Sequence, residues 1–284
     1  MAIITQSLIL KQLKFASLPK IKSILGRQRL KFSYEDISFY LYQIHLHQTK
    51  GIYFKDIHKK LVKNNKIDIK YNTYMHNIGL ISPLMQIIFN NINNHFDIKP
   101  SKLLNISDTT LLATKQERSI NHNDYQKNKV TVRKNKKTGQ NYHTCGYKGL
   151  FFMNRFKQIY YVNLLNINYS DHNILKDSAF YLQQLKGYIL VDRGMSNKTV
   201  RTRVDSIPGV KMISPNHYKQ IDKYGFIEEK YLAIYKKRWN IEVGFRNMKS
   251  LYGKIKLNLF GVKKYHLIKA KLLISVANYN LSLV

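Results

Sequence analysis

Glu242 is one acid set among cations: Lys236, Lys237, Arg238, Arg246 and Lys249 all lie close to it in the chain. A carboxylate so surrounded can pair with its neighbours on a solvated face, or it can share a cleft with an anion that the cations hold. The stretch that carries it, EEKYLAIYKKRWNIEVGFRNMKSLYG from Glu228 to Gly253, has no proline. It opens on two acids and ends on a basic turn before glycine, which predicts one long helix. At about 100° per residue, Tyr235, Arg238, Glu242 and Lys249 fall within about 60° of one another, with Arg246 beside them. Ile234, Ile241, Phe245 and Met248 flank this stripe on one side, and Leu232, Trp239 and Val243 on the other. A helix apolar on both flanks is buried with its polar stripe opening into a cleft, and Trp239 is expected in the core.

The spacing Tyr235-x2-Arg238-x3-Glu242-x6-Lys249 resembles the Tyr-Arg-Glu-Lys signature of DDE transposases from bacterial insertion sequences, as does the surrounding YKKRWNIEVGFRNMK. In that family the glutamate is the third catalytic carboxylate, and two aspartates precede it on strands. Asp108 stands in the middle of KLLNISDTTLLAT, where a lone acid among Leu, Ile and Thr is expensive to bury without compensation. Asp192 ends the apolar run of GYILVDRG before a glycine turn, where α/β folds place active-site ligands.

Between and after these acids the chain reads as strands over 143–153, 158–167, 188–191 and 210–214, with helices beginning near residues 171 and 197. This order is the layout of a ribonuclease H-like fold, an α/β core with a mixed five-stranded sheet flanked by helices. That fold brings the ends of the first and fourth strands together beneath the last helix. The resemblance implies that Asp108, Asp192 and Glu242 are catalytic and hold two Mg²⁺ or Mn²⁺ ions, Asp108 bridging both. It also implies that Tyr235, Arg238, Arg246 and Lys249 grip DNA. The activity implied is metal-dependent cleavage of double-stranded DNA at transposon ends and strand transfer to a target, by a homodimer on DNA. A degenerate DNA-binding copy and a ribonuclease H-like nuclease without strand transfer are the alternatives. Many members carry a β-rich insertion before the glutamate, and the interval from Asp192 to Glu242 is too short for one.

The whole chain agrees with a polyanionic partner: 48 Lys and Arg oppose 16 Asp and Glu, a formal charge of +32 over 284 residues. Cys145 is the only cysteine, which excludes an internal disulfide and fits a reducing cytoplasm, and the resemblance implies a bacterial, nucleoid-associated protein. No apolar run reaches the ~18 residues of a membrane span, and Lys11 and Lys14 interrupt the N-terminal one, against a signal peptide.

Residues 1–96 read as a helical N-terminal region and 97–284 as the catalytic domain, with NNINN at 90–94 near the boundary. Helices predicted over 54–62 and 71–81 could form a DNA-binding helix-turn-helix or simply pack. His45 and His47 are spaced badly for a metal pair on a helix. The basic VTVRKNKKTGQNY predicts a hairpin or loop, and the apolar helix over 267–283 is expected to cover the sheet.

Overall fold

A computed structural model describes residues 4–16, 18–26, 32–115, 120, 122, 130–134, 138–177, 182–216, 227–251 and 265–284. The chain divides into two compact units, Ile98–Arg246 and the discontinuous Met1–Asp97 with Asn247–Val284.

The first unit is built on a six-stranded mixed sheet: β1 (Leu104–Lys115), β2 (Val130–Lys134), β3 (Asn141–Asn154), β4 (Ile159–Asn166), β5 (Gly187–Leu190) and β6 (Val210–Ile213). The strand order is β2-β3-β1-β5-β6, with β4 also paired to β3. The pairings among β1 to β4 are antiparallel, and those of β5 with β1 and β6 are parallel. The strand beyond the expected five is β2. Its VTVRK alternates well enough to pair with Asn141–Cys145, making the basic segment a hairpin.

Directly paired residues share a face, so the register sorts the two sides of the sheet. Leu150, Phe152, Ile189, Val191, Val210 and Met212 face a core closed by Ile174 and Leu175 of α7 (Asp171–Asp177) and by Val200 and Val204 of α8 (Lys198–Asp205). The opposite face carries Leu104, Ile106, Asp108, Phe151, Tyr188 and Leu190. There α9 (Glu229–Lys236) sets Tyr231 6.1 Å from the Tyr188 ring, and α10 (Trp239–Leu251) sets Phe245 4.7 Å from the Phe151 ring.

The helical unit comprises α1 (Gln6–Lys14), α2 (Leu18–Leu25), α3 (Tyr34–Lys50), α4 (Phe54–Lys63), α5 (Tyr71–Ile81), α6 (Met85–His95) and α11 (Tyr265–Leu281). A capping box between Ser33 and Asp36 starts α3, and Gly51 at φ 71° ends it. The His58 Nε2–H donates to Ile69 O at 2.8 Å, which fastens the connection between α4 and α5.

The expectation that the last apolar helix covers the sheet is corrected: α11 packs on α6, α3 and α5, and is buried along nearly its whole length. Polar residues on it have partners of their own. Asn278 Oδ1 accepts from the Ile4 N–H at 3.0 Å, and Asn280 Nδ2 donates to Asn93 Oδ1 at 3.3 Å. His47 donates from Nδ1 to Ile52 O at 2.7 Å, leaving Nε2 to accept from Lys271 at 3.2 Å. Burial first, then the Lys271 charge, lowers the His47 pKa to about 4, which keeps the ring neutral for that role.

The parallel pairing of β5 with β1 depends on a glycine. Gly187 has φ +74°, and an added Cβ would lie 2.4 Å from the Leu103 carbonyl oxygen. Gly209 has φ +76° but nothing within 4 Å of such an atom. Gly187→Ala should therefore lower the chemical-denaturation stability by about 2 kcal/mol more than Gly209→Ala, since only the first adds a backbone clash to the shared dihedral strain. Equal losses would remove the close approach as a constraint.

Candidate active site

The β1–β5 ladder ends at the pair Ile106 and Leu190, and two residues farther along each strand stands an acid, Asp108 on one and Asp192 on the other. Alternation puts both on the face away from Val191, which lies in the opposite core. Asp192 is exposed and caps the 3-10 turn Arg193–Met195, its Oδ1 accepting from the Arg193 N–H at 2.8 Å. Glu242 arrives from the helix layer. It precedes Phe245 by about one turn of α10, and Phe245 rests on Phe151, which is paired with Asp108 in the ladder.

The long helix expected from Glu228 to Gly253 is interrupted. α9 stops at Lys236 and α10 starts at Trp239. Across the gap Arg238 N–H donates to Tyr235 O at 2.9 Å and Ile241 N–H to Arg238 O at 3.1 Å, bonds of the tighter 3-10 type. Trp239, expected in the core, is 55% exposed, as is Leu232 of the same flank at 39%, and the Arg246 guanidinium lies 5.9 Å from the Trp239 ring centroid. Arg238 itself sits in the gap. Its Nη1 donates to Asp108 Oδ2 at 2.8 Å and its Nη2 to Glu242 Oε1 at 2.7 Å. The Arg238 side chain is 19% exposed, Asp108 14% and Glu242 35%, so the bridge joins a sheltered acid to a wetter one.

Asp108 Oδ1 accepts from the Thr109 N–H at 2.7 Å. Burial raises the Asp108 pKa to about 6; Arg238 and the Thr109 N–H pull against that, and the negative charges of Asp192 and Glu242 reinforce it. Tyr235 is buried beside the bridge with the Arg238 guanidinium 5.9 Å from its ring centroid. Its phenol, pushed up to about 12 mainly by burial, remains a hydrogen-bond donor at neutral pH. The Lys249 side chain lies outside the described residues.

Among the described residues no three His, Cys, Asp or Glu side chains are grouped closely enough to hold a metal ion. The donors at this site are nonetheless carboxylate oxygens, the ligands that Mg²⁺ and Mn²⁺ prefer. Arg238 shows that a single positive group can satisfy Asp108 and Glu242 together. In donor chemistry the residues fit a divalent cation.

Comparison with known families decides the class. The profile of the transposase DDE domain matches residues 100–281, more than half of the chain. The chain belongs to the transposase DDE domain family. No curated protein and no solved structure matches it. The DDE match opens just before β1 and runs to the last residue of α11, so it takes in the strands of both aspartates and the helix of Glu242.

Two features of the DDE domain escape sequence reasoning. The pairing of Arg238 with Glu242 has a local signal, an i,i+4 spacing, whereas its pairing with Asp108 spans 130 residues and has none. The second is Asp171, which the sequence marks only as a place where a helix can begin. Lys148 Nζ donates to its Oδ1 at 2.7 Å and to Tyr169 O at 2.8 Å, tying α7 to β3. In a thermal or chemical melt, Lys148→Met and Asp171→Asn should each destabilise, and the double variant should reveal a coupling of about 1 kcal/mol. Additive effects would show the pair to be inert.

Proposed function

We propose that this transposase domain cuts double-stranded DNA at the ends of a bacterial insertion sequence and joins the freed 3′ ends to target DNA, through a ribonuclease H-like site formed by Asp108, Asp192 and Glu242. The observation that carries this reading is the register: Asp108 in β1 and Asp192 just past the end of the adjacent parallel β5, on the sheet face to which Phe245 holds the Glu242 helix. With the hairpin strand β2 set aside, these aspartates lie on or just after the first and fourth strands, as the ribonuclease H-like layout requires.

Asp108, Asp192 and Glu242 would hold two Mg²⁺ or Mn²⁺ ions, which supply activation of the attacking oxygen and stabilisation of the leaving one. The chain's other groups position the substrate. Arg238, Arg246 and Lys249 are donors only and suit phosphate oxygens, and the buried Tyr235 phenol can donate beside them. Arg246 is exposed over the Trp239 ring, a cation and a flat apolar surface together.

Residues 1–96 are proposed as the region that recognises ends and 97–284 as the catalytic region. On α4 and the following turn Lys55, Lys59, Lys60, Lys63 and Lys66 are exposed, and on α5 Asn72, Thr73 and His76 are exposed. Cations beside neutral hydrogen-bonding side chains divide the work as DNA readers do, phosphate grip on one helix and base edges on the next. A homodimer on DNA in the bacterial cytoplasm and nucleoid completes the reading; no described helix is long and apolar enough to cross a membrane.

Asp108→Asn, Asp192→Asn and Glu242→Gln should each abolish Mn²⁺-dependent cleavage of end-bearing plasmid DNA while gel-shift affinity stays level or rises. Retained cutting in any one variant would remove that acid from the site. Cleavage without joined products in the unaltered chain would favour a nuclease instead.

The affinity itself should fall linearly with log salt as phosphate contacts release counterions, and replacing the exposed Asn72, Thr73 and His76 with Ala should reduce the preference for end sequences. A flat salt response would refute phosphate-dominated binding.

A further inference from the structure

We propose that Arg238 is a built-in counter-cation, so that a divalent ion enters the site only by displacing the guanidinium that bridges Asp108 and Glu242. This rests on the reading of those carboxylates as metal ligands and concerns how the site is kept closed.

Arg238 divides its two Nη groups between different acids, 2.8 Å from Asp108 Oδ2 and 2.7 Å from Glu242 Oε1. A guanidinium has donors and no acceptor, so it cannot join a metal's ligand set; it can only compete for the same oxygens. On Asp108 the competition is direct. Oδ1 is engaged by the Thr109 backbone N–H at 2.7 Å, which is fixed in the strand, while Oδ2 is engaged by a side chain that can rotate away.

The backbone supports such a movement. Arg238 sits in the break between α9 and α10, where 3-10 bonds replace the α-helical ladder, and short stretches of this kind inside helices mark hinges. The Arg238 side chain is partly exposed, so it has a way out toward solvent. The bridge also explains how the carboxylates coexist before metal arrives: it neutralises Asp108, which is buried and faces the charges of Asp192 and Glu242. After displacement the guanidinium keeps its charge and regains both donor edges, which frees it to hold a phosphate.

The test is Mn²⁺ binding to the full chain, followed by loss of the free-ion paramagnetic resonance signal, with thermal melts in parallel. Arg238→Gln should bind Mn²⁺ about ten-fold more tightly than the unaltered chain. Arg238→Lys should also bind more tightly, because one ammonium cannot span both carboxylates as the planar fork does. Without metal, Arg238→Gln should melt lower, and Mn²⁺ should raise its Tm by more than it raises that of the unaltered chain. Unchanged or weaker Mn²⁺ affinity in Arg238→Gln would overturn the proposal. So would Arg238→Lys binding like the unaltered chain, since charge alone would then account for the effect. Asp108→Asn separates the two levels. If it binds Mn²⁺ normally, the carboxylate reading itself fails; if it loses Mn²⁺ while the Arg238 variants are unaffected, only the displacement fails.

Discussion

The parallel register between β1 and β5 is the constraint on which the site depends. Leu104 pairs with Tyr188 and Ile106 with Leu190, and this alone decides that Asp108 and Asp192 emerge side by side on one face. A slip of one residue would turn Asp192 toward the apolar core and bring Val191 to the polar face. Several features hold the register in place. Gly187 lets β5 begin against the Leu103 carbonyl, and the Tyr188 N–H donates to that oxygen at 2.9 Å. Ile189 and Val191, with 0% exposure, anchor the other face.

Around that register the energetic problem is charge. A carboxylate sheltered as Asp108 is costs several kcal/mol if it stays ionised without a partner. The chain meets this with one backbone N–H and one guanidinium, both within 3 Å. The geometry that delivers the guanidinium is itself a departure from regular structure, since the turn at Lys237 and Arg238 abandons the α-helical hydrogen bonds. Local irregularity and the bridge to Asp108 are thus two sides of one arrangement.

Much of this was legible in the residues because it was local. Leu, Ile and Thr marked β1 and an apolar run marked β5, the apolar spacing marked α4 and α5 nearly to their ends, and a four-residue signature pointed to the family that the profile comparison shows. What was illegible depended on distance or on small energies. A continuous helix and one broken at Lys237 differ by a few hydrogen bonds, and no proline or glycine at 237–238 announces the break. Trp239 was misplaced because both apolar flanks were expected to be buried, whereas only the one with Ile241 and Phe245 is, and Leu232 is exposed like Trp239. The basic VTVRKNKKTGQNY left hairpin and loop both open, and the pairing of VTVRK with Asn141–Cys145 settles it as a hairpin. The partner of α11 could not be read from hydrophobicity, which says that a helix is buried but not against what.

The placement of α11 bears on synthesis of the chain. The helical unit is assembled from both ends of the sequence, with the sheet unit inserted between Asp97 and Asn247. Its polar fastenings join residues 224 apart at Lys271 and His47 and 274 apart at Asn278 and Ile4. Emerging from a ribosome, α1 to α6 must therefore wait with an open core while the entire sheet unit is translated. Native contacts of such long sequence separation carry a large loop-closure cost and form late. The last helix is thus the closing step of folding for residues made first, and during that wait the exposed apolar faces of α3 and α6 are natural targets for chaperones.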